Sequence, residues 1–296
     1  MNAERGPERS QAESPGDAQL VAEARAWWQT DIIEVRPGEI SLRGYPIEQL
    51  IGGVGFVETI WLMVRGELPT REQAALLEAA LVASVDHGPQ APSIAIARMA
   101  MTCGVPVNGA MASAINVLDD IHGGPGEQCM ELYLEIESEL DDGGLGDGGL
   151  EDAVRSVLAR HRAAGTKYVP GFGHRWHPID PRTPRLLALV DEAVVAGTVD
   201  GRFARIARAV EDELARGRST RIPMNVDGVT AVIYCELGFT PQLGRGVFIL
   251  ARSVGILAHA VEQSAQGARI KGPMPKSFGY TYTGPGRRSV PHAGRE

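Results

Sequence analysis

Apolar residues recur at helical spacing along most of this chain, and no other feature of the sequence constrains its fold as strongly. The first stripe runs from Val57 to Val64, and Gly66 with the following Pro69 should end that helix. A capping box at Thr70 and Gln73 then starts the next one. Further helices are predicted over residues 93–103, 109–120, 126–140, 151–163, 184–196, 201–215, 227–238 and 242–264. We therefore expect an all-α protein.

The pattern is interrupted near the N-terminus and in the middle of the chain. Residues 1–19 are polar, show no periodicity and are predicted to form a disordered tail. A hairpin should follow, with Ile32 to Val35 and Ile40 to Leu42 as its strands. The glycine-rich stretch 141–149 is predicted to be an exposed loop. Because the first residues lack the apolar core of a signal peptide, we expect a cytoplasmic location.

Composition and charge argue against several classes of protein. With 44% hydrophobic and 22% charged residues, the chain is typical of a folded globular protein and not of a disordered one. A net charge of −8 makes a nucleic-acid partner unexpected, since phosphate contacts need a basic surface. No apolar run reaches the roughly 18 residues that a membrane span requires. The three cysteines lie far apart in the sequence, which argues against a disulfide framework.

Four short segments rich in glycine, proline and histidine interrupt the helices, and each holds a titratable side chain. Glycines at such breaks leave room for a ligand to approach the backbone. These side chains also have structural interpretations: His87 as a cation at a helix end, His122 as a turn residue, Asp227 as a helix cap. The segments are Asp86–Pro89, Ile121–Gly126, Val169–Arg175 with Asp180–Arg182, and Pro223–Asp227.

Arg252 lies in an otherwise apolar helical segment, Ala251–His259. Such an arginine either extends to solvent at the rim or points inward at a carboxylate, because a buried guanidinium requires an anion. Together with three histidines, Asp227 and Arg182, it indicates acid–base chemistry on an anionic substrate.

Motifs for other chemistries are missing or incomplete. His174 and His177 lie three residues apart in a loop, and no H-E-x-x-H motif occurs, so we expect no catalytic metal. The glycines of residues 52–55 do not complete a dinucleotide-binding motif. Neither a phosphate-binding P-loop nor a G-x-S-x-G nucleophile elbow is present. The candidates therefore act without a metal or a covalent nucleophile.

Taken in order along the chain, these motifs resemble those of the citrate synthase family, over roughly residues 30–283. Each piece is weak alone, and the ordered series carries the resemblance. The pieces are the hairpin with Leu42–Leu50, Arg65–Thr70, Asp86-His87, His122–Gly124, Pro170–His174, Asp180–Arg182, Asn225–Asp227, and the helix from Arg252 to Gln263.

The resemblance implies an all-helical, citrate-synthase-like fold of two domains with a short N-terminal β-hairpin. The large domain would comprise residues 20–122 and 237–296, and the small domain residues 123–236. The family resemblance also implies a homodimer whose active sites close over their substrates. Those substrates would be an acyl-coenzyme A thioester and a 2-oxo dicarboxylic acid, or citryl-CoA, with no permanently bound cofactor.

Three catalytic roles carry over from the family to matching positions. Asp227 matches the carboxylate base that takes a proton from the methyl group of acetyl-CoA. His122 matches the histidine that hydrogen-bonds the thioester oxygen and stabilises the enol. His174 matches the histidine that polarises and protonates the ketone of oxaloacetate.

The resemblance also implies a set of substrate contacts. His87 matches a further ligand of the 2-oxo acid, and Arg182 and Arg252 match arginines that clamp its carboxylates. The segment whose backbone would contact the adenine of coenzyme A consists of Tyr168, Val169, Pro170, Gly171, Phe172 and Gly173.

One departure from the family pattern bears on the reaction. Many citrate synthases carry an Arg-Pro pair near the C-terminus, and its arginine crosses to the partner subunit to hold a substrate carboxylate. Met274 stands at that position here, and Lys276 or Arg269 would have to compensate. A lysine does not reproduce the bidentate guanidinium contact. In this respect the chain looks more like citryl-CoA lyase and the citrate-synthase-like domain of ATP-citrate lyase.

Three functions remain open on the sequence. The leading interpretation is an enzyme like citryl-CoA lyase, which cleaves citryl-CoA to acetyl-CoA and oxaloacetate. The second is a citrate or 2-methylcitrate synthase, which needs the same residues. The third is a non-catalytic acyl-CoA-binding subunit, although a protein that only binds needs no base at the methyl carbon.

Overall fold

The computed structural model describes residues 15–140, 147–174, 178–270, 275 and 277–288. Within them the chain is mostly helical and has one small antiparallel sheet. The predicted all-α class with a short hairpin near the N-terminus is therefore confirmed. In chain order the elements are α1 (Pro15–Trp27), β1 (Ile33–Arg36), β2 (Glu39–Leu42), β3 (Tyr45–Pro46), α2 (Ile47–Leu50), α3 (Phe56–Arg65), α4 (Arg71–Ser84), α5 (Pro92–Thr102), α6 (Val107–Ile115), α7 (Pro125–Ser138), α8 (Asp147–Ala163), α9 (Arg182–Val195), α10 (Arg202–Ala215), α11 (Val226–Glu236) and α12 (Pro241–Ala265).

The predicted start and stop signals fix the boundary between α3 and α4. Gly66 adopts a left-handed φ of 93°, and its N–H closes α3 on the carbonyl of Leu62. The Thr70 N–H donates to Gln73 Oε1 at 2.9 Å, and the Gln73 N–H donates to Thr70 Oγ1 at 3.2 Å. These bonds satisfy donors that a helix end leaves without partners, so both boundaries are set locally.

The N-terminal part departs from the prediction in two respects. β1 and β2 form the predicted hairpin, with Val35 opposite Ile40. A third strand, β3, pairs antiparallel with β2 and is too short to show a sequence pattern. Helix α1 covers residues 15–19 of the predicted tail, and residues 1–14 lie outside the described residues.

Helix α8 begins earlier than the sequence predicts. Its first residue is Asp147, so the last three residues of the stretch predicted as a loop are helical. Residues 141–146 of that stretch lie outside the described residues. Because α8 packs against α10 with Leu150 and Val154 buried, tertiary packing outweighs the low helix propensity of the glycines.

The chain divides into two compact units, residues 1–78 and 79–296, and the division falls within α4. The first unit holds the sheet and the helices before α4. The second unit holds the helices after α4 and all the residues of the candidate site. The predicted large and small domains follow different boundaries, and that assignment stays a prediction.

Helix α11 is the central helix of the second unit. Its residues from Gly228 to Cys235 are all buried, and it packs against α7, α9 and α10. Burial of an aliphatic side chain such as Val232 or Ile233 contributes roughly 1.5–3 kcal/mol. Glu236 at its end also caps α10, because its carboxylate accepts the Phe203 N–H at 2.8 Å. A helix held on all sides gives a rigid base for the residues at its N-terminus.

Helix α12 runs through the core of the same unit. It packs against α5, α6 and α7 and buries Val247, Arg252 and Ile256. By length and composition alone it is the one helix in the described part of the chain that could cross a membrane. A buried core helix meets the same criteria, and a buried arginine at its middle suits a protein core that binds anions.

Candidate active site

Five of the six predicted catalytic and substrate-binding residues line a single cleft within the second unit, and Gly173 of the predicted coenzyme A segment lines it too. The cleft has a volume of about 790 Å³, within the roughly 300–1,000 Å³ of small-molecule sites. The neighbouring Gln90, Pro92 and Ile121 also line it. The five predicted residues are His87 after α4, His122 before α7, His174 after α8, Arg182 at the start of α9 and Asp227 in the first turn of α11.

Backbone hydrogen bonds join the loop before His174 to the segment that starts α11. The Gly173 N–H donates to the carbonyl of Pro223 at 2.7 Å, and the Asn225 N–H donates to the carbonyl of Gly171 at 2.9 Å. The Asn225 side-chain amide donates to the carbonyl of Gly173 at 2.7 Å. These three bonds hold His174 beside the N-terminus of the helix that carries Asp227.

Glycine is required where these two segments meet. Gly171 has a positive φ of 80°, a conformation that L side chains rarely adopt. A Cβ atom on Gly228 would overlap the carbonyl oxygen of Gly171 and lie 2.5 Å from Met224 Cγ. We expected glycines at these breaks to leave room for a ligand, but Gly171 and Gly228 instead allow main chain to pack on main chain.

The segment predicted to contact coenzyme A is only partly accessible. Tyr168 is 85% exposed, whereas Phe172 is buried and its ring lies edge-on to Tyr133 at 6.5 Å between centroids. The carbonyl of Gly171 and both polar backbone groups of Gly173 are occupied by the contacts to residues 223–225. Tyr168, Val169 and Pro170 are thus the part of the segment best placed to meet a ligand.

Asp227 lies in the first turn of α11, but it is not the helix cap. Asn225 is the cap, because its side-chain oxygen accepts the N–H groups of Asp227 at 2.9 Å and Gly228 at 3.2 Å. The structural interpretation of Asp227 as a cap is therefore wrong. Burial raises the pKa of the Asp227 carboxyl above its usual value, against the opposing charges of Arg182 and Arg252.

The ring of His122 is fixed by the N-terminus of α5. Its Nε2 accepts the Ser93 N–H at 3.1 Å and lies 2.9 Å from the Ser93 hydroxyl oxygen. Because Nε2 is an acceptor, the ring proton of the neutral form resides on Nδ1. Partial burial lowers the pKa of His122, and the charges of Arg252 and His87 lower it further. This histidine is thus held as a neutral donor and is more than a turn residue.

His87 and His174 face each other in the cleft. Their ring centroids are 6.1 Å apart and their planes are inclined at 71°. The pKa of His87 is lowered by partial burial first, and then by the charges of Arg182 and Arg252. Two imidazoles with two guanidiniums nearby make this side of the cleft suitable for an anion.

Arg182 is oriented by Asp180, a residue to which the sequence analysis gave no role. The guanidinium donates from Nε to Asp180 Oδ1 at 2.9 Å and from Nη2 to Asp180 Oδ2 at 2.8 Å. The second carboxylate oxygen also accepts the Val226 N–H at 3.1 Å. Burial alone would raise the pKa of Asp180, but the bonds from Arg182 and Val226 lower it to about 2. One buried carboxylate thus ties α9 to the start of α11.

Arg252 is buried and points inward from α12. Its Nε donates to the carbonyl of Ser84 at 3.1 Å, and its guanidinium lies 5.0 Å from the centroid of the Phe248 ring. Burial lowers its pKa, whereas the charges of Asp227 and Asp86 raise it. The interpretation as a rim residue reaching solvent is therefore wrong, because only 5% of Arg252 is exposed.

Some residues of the remaining predictions about ligands lie outside the part of the chain that the structure describes. His177 of the histidine pair lies outside the described residues, as do Met274 and Lys276, whereas Arg269 is described and exposed. Among the described residues, no group of three histidine, cysteine, aspartate or glutamate side chains is arranged to hold a metal ion.

Three contributors to the site were given no role at the sequence level: Asp180 and Asn225, which lie in the family motifs, and Ser93, which lies in none of them. Each acts through contacts to segments distant in the chain, which spacing does not show. Local signals were nevertheless present, since Asp180 precedes a Pro-Arg pair and Asn225 lies two residues before Asp227 at a helix start.

Comparison with known proteins agrees with this geometry. The sequence profile described as "Citrate synthase, C-terminal domain" matches residues 23–79 and 71–273. The structure of citryl-CoA lyase from Hydrogenobacter thermophilus is similar, with a TM-score of 0.77 and 32% identity, over 89% of this chain and 97% of that chain.

Two curated relatives are similar in sequence. A citrate synthase from Haloferax volcanii is 28% identical over 212 residues, which are 71% of this chain and 52% of the relative. A 2-methylcitrate synthase from Mycobacterium tuberculosis is 29% identical over 233 residues, which are 77% of this chain and 54% of the relative. The chain thus spans about half the length of these curated relatives. Since the profile match extends over most of the sequence, the resemblance seen in the motifs is confirmed, and the chain belongs to the citrate synthase family.

Proposed function

We propose that this protein cleaves citryl-CoA into acetyl-CoA and oxaloacetate, a retro-Claisen reaction. The observation that carries the proposal is the grouping of His122, His174 and Asp227 around one cleft, with His122 fixed as a neutral donor. A coenzyme A thioester is then the substrate, and no permanently bound cofactor is required.

The first step takes place at the tertiary hydroxyl of the citryl group. His174 takes the hydroxyl proton, and the O–H electron pair forms the ketone of oxaloacetate as the adjacent carbon–carbon bond breaks. The electrons of that bond pass into the thioester and give the enolate of acetyl-CoA. His122 donates its Nδ1–H to the enolate oxygen, and a fixed donor of this kind typically accelerates a reaction by roughly 10²–10³.

The second step delivers a proton to carbon. Because burial raises the pKa of Asp227, its carboxyl holds a proton more readily than an exposed aspartate does. Transfer of that proton to the enolate carbon forms the methyl group of acetyl-CoA. In the reverse direction the same carboxylate would remove the proton, so the group serves cleavage and condensation alike.

Two arginines provide contacts for the substrate carboxylates. Arg182 uses three of its five N–H groups on Asp180 and on the carbonyl of Ala83 among the described residues. One N–H on each terminal nitrogen therefore remains for a ligand. Arg252 binds the carbonyl of Ser84 through Nε, which leaves its two terminal nitrogens for a second carboxylate.

Two observations favour the lyase over a synthase. The similar citryl-CoA lyase is 32% identical to this chain, whereas the two curated synthases are 28% and 29% identical. In the sequence, Met274 replaces the arginine expected from the family pattern. Loss of one bidentate contact would weaken the binding of free oxaloacetate by roughly 10- to 150-fold. Citryl-CoA would lose less affinity, because its coenzyme A portion tethers the citryl group.

The test compares the two directions in one preparation. The enzyme is incubated with citryl-CoA, and separately with acetyl-CoA plus oxaloacetate, and free thiol and oxaloacetate are followed. We expect fast cleavage and slow condensation, and we expect Met274→Arg to raise condensation more than cleavage. A dissociation constant for oxaloacetate in the low micromolar range with the wild-type protein would contradict the lyase proposal.

That outcome would support the second candidate, a citrate or 2-methylcitrate synthase, which the names of the curated relatives favour. A third possibility, a non-catalytic acyl-CoA-binding subunit, would be supported by acyl-CoA binding without turnover in either direction. The arrangement of Asp227 and His122 argues against it, because binding alone needs neither a carbon base nor an oxyanion donor.

We also propose that the protein forms a homodimer through α12. Four apolar residues on this helix are 41% to 59% exposed, and their spacing of four, three and four residues places them on one face. A stripe of this kind on a soluble protein is typical of an interface. These residues are Leu250, Val254, Leu257 and Val261. Sedimentation at micromolar concentration tests the proposal, and a stable monomer would contradict it.

A further inference from the structure

His259 lies on α12 at the edge of the site and has no part in the reaction proposed above. Its side chain is 17% exposed, and its Nε2 lies 3.3 Å from Asp86 Oδ1. Its other ring nitrogen, Nδ1, lies 3.1 Å from Arg98 Nη1. The ring therefore bridges an arginine on α5 and the aspartate that directly precedes His87.

The roles of the two ring nitrogens follow from chemistry. A guanidinium can only donate, so Nδ1 of His259 accepts a hydrogen bond from Arg98. The ring proton of neutral His259 is then on Nε2, which faces the Asp86 carboxylate as a polar contact at 3.3 Å. Arg98 is held in turn by Glu262 and by Gln266, whose Oε1 accepts its Nη2–H at 2.9 Å. The donor that meets Asp86 is therefore oriented from the far side of the ring.

The Asp86 carboxylate has two partners, one on α12 and one directly after His87 in the chain. One oxygen meets His259, and the other accepts the Gly88 N–H at 3.1 Å. The segment that carries His87 can lie this close to α12 only because residue 255 is glycine. A Cβ atom on Gly255 would overlap the carbonyl oxygen of Val85. The short segment that carries His87 is thus anchored to α12 by one side chain and one close backbone contact.

We propose that His259 and Asp86 are positioning residues that hold His87 in the orientation needed to bind the oxo acid part of the substrate. The role of His87 as a substrate ligand rests on the proposed function. The orientation of its ring is a property of the folded protein and is measured separately. Without the contact from His259, the Asp86 carboxylate loses one of its two partners, and the segment that carries His87 is held less firmly.

The test compares His259→Leu with His259→Gln. Leucine removes both ring contacts, whereas glutamine keeps an N–H donor for Asp86 and an oxygen acceptor for Arg98. We expect oxaloacetate, measured by calorimetry, to bind about 10-fold more weakly to the leucine variant, since the polar contact with the Asp86 carboxylate is lost. Affinity for coenzyme A should stay within about 2-fold of wild type, and glutamine should restore most of the oxaloacetate affinity.

The matched control is His161→Leu. His161 also pairs with a carboxylate, Glu135, at 2.7 Å, but it lies on α8 and does not line the cleft. We expect this variant to bind oxaloacetate as the wild type does. If His259→Leu does not fold, Asp86→Asn is used, because it removes one of the two acceptor oxygens and keeps the shape.

Nitrogen-15 spectra of the histidine side chains separate this proposal from the proposed function. We expect His259 to carry its proton on Nε2, and the His87 resonances to move in His259→Leu but not in His161→Leu. If the wild type does not cleave citryl-CoA, the proposed function fails and the His87 resonances still decide the positioning role. A proton on Nδ1 of His259, or unchanged His87 resonances with unchanged oxaloacetate affinity, would overturn the proposal.

Discussion

Replacement of Asp180 by asparagine is the sharpest single test of how the site is assembled. Four donors converge on this carboxylate: the N–H and Nε–H of Arg182 on one oxygen, and the Nη2–H of Arg182 with the Val226 N–H on the other. Asparagine has the same shape but only one acceptor oxygen. Whichever way the amide is turned, its NH₂ group faces two donors, and two bonds are lost.

The expected loss of stability in this variant follows from the pKa of Asp180. The Asp180 side chain is fully buried, and its pKa falls from 3.8 to about 2 on folding. A carboxyl with this difference contributes about 2 kcal/mol to the free energy of unfolding at neutral pH. The variant also leaves the partly buried guanidinium of Arg182 without its anion, which raises the expected cost toward about 3 kcal/mol.

The sign of the pH dependence is fixed by the direction of that shift. Because the folded pKa is depressed, the stabilisation is complete above the unfolded value of 3.8 and is lost as the pH falls toward 2. The difference in unfolding free energy between wild type and Asp180→Asn should therefore be largest above pH 5. It should shrink by about 1 kcal/mol by pH 3.

Urea unfolding of the two proteins at pH 7, 5, 4 and 3 measures this difference directly. Asp191→Asn is the control, since Asp191 bonds Arg208 at 2.8 Å but is 54% exposed, and such pairs contribute at most about 1 kcal/mol. The reasoning is refuted if Asp180→Asn is as stable as Asp191→Asn at pH 7. A difference from wild type that stays constant from pH 7 to pH 3 would refute the pKa argument alone.

Three further changes test other parts of the site and the assembly. Asp227→Asn should lower turnover by at least ~10² with little effect on coenzyme A affinity, as measured by steady-state kinetics and calorimetry. Gly228→Ala should lower the unfolding free energy by about 1–3 kcal/mol because its methyl group overlaps Gly171, whereas Gly246→Ala, with open space around it, should be neutral or stabilising in urea titrations. Val254→Arg should shift the protein to a monomer in sedimentation, and an unchanged dimer would move the interface away from α12.

The sequence predicted the helices well because their signals are local. The capping box at Thr70 and the left-handed Gly66 act within a few residues of their position. The early start of α8 was not predictable, because it depends on burial of Leu150 in a unit with α10. Helix α1 was missed for the opposite reason: its described residues are exposed, so it has no apolar stripe to detect.

The residues of the candidate site fall into the same two groups, those with a local sequence signal and those without one. His122, His174 and Asp227 were found because each lies in a short segment with glycine or proline between predicted helices, and because these segments match the family in order. The contacts that orient the site across segments were missed because their partners are distant in the chain. Ser93 meets a ring 29 positions away, and Asp180 meets the N–H of Val226, 46 positions away. Spacing within a motif carries no information about such contacts.

The pKa values of the two groups proposed to act at the reacting carbon and oxygen are shifted in opposite directions by the same physical cause. Burial lowers the pKa of His122 and raises that of Asp227, so both are driven toward their neutral forms. A neutral imidazole donates a hydrogen bond to an enolate without giving up a proton, and a neutral carboxyl can protonate carbon. The positive charge needed to attract an anionic substrate would then come from the guanidinium groups of Arg252 and Arg182. In the proposed reaction the cleft would thus separate charge recognition from proton transfer, and this division would suit one set of residues to both breaking and forming the carbon–carbon bond.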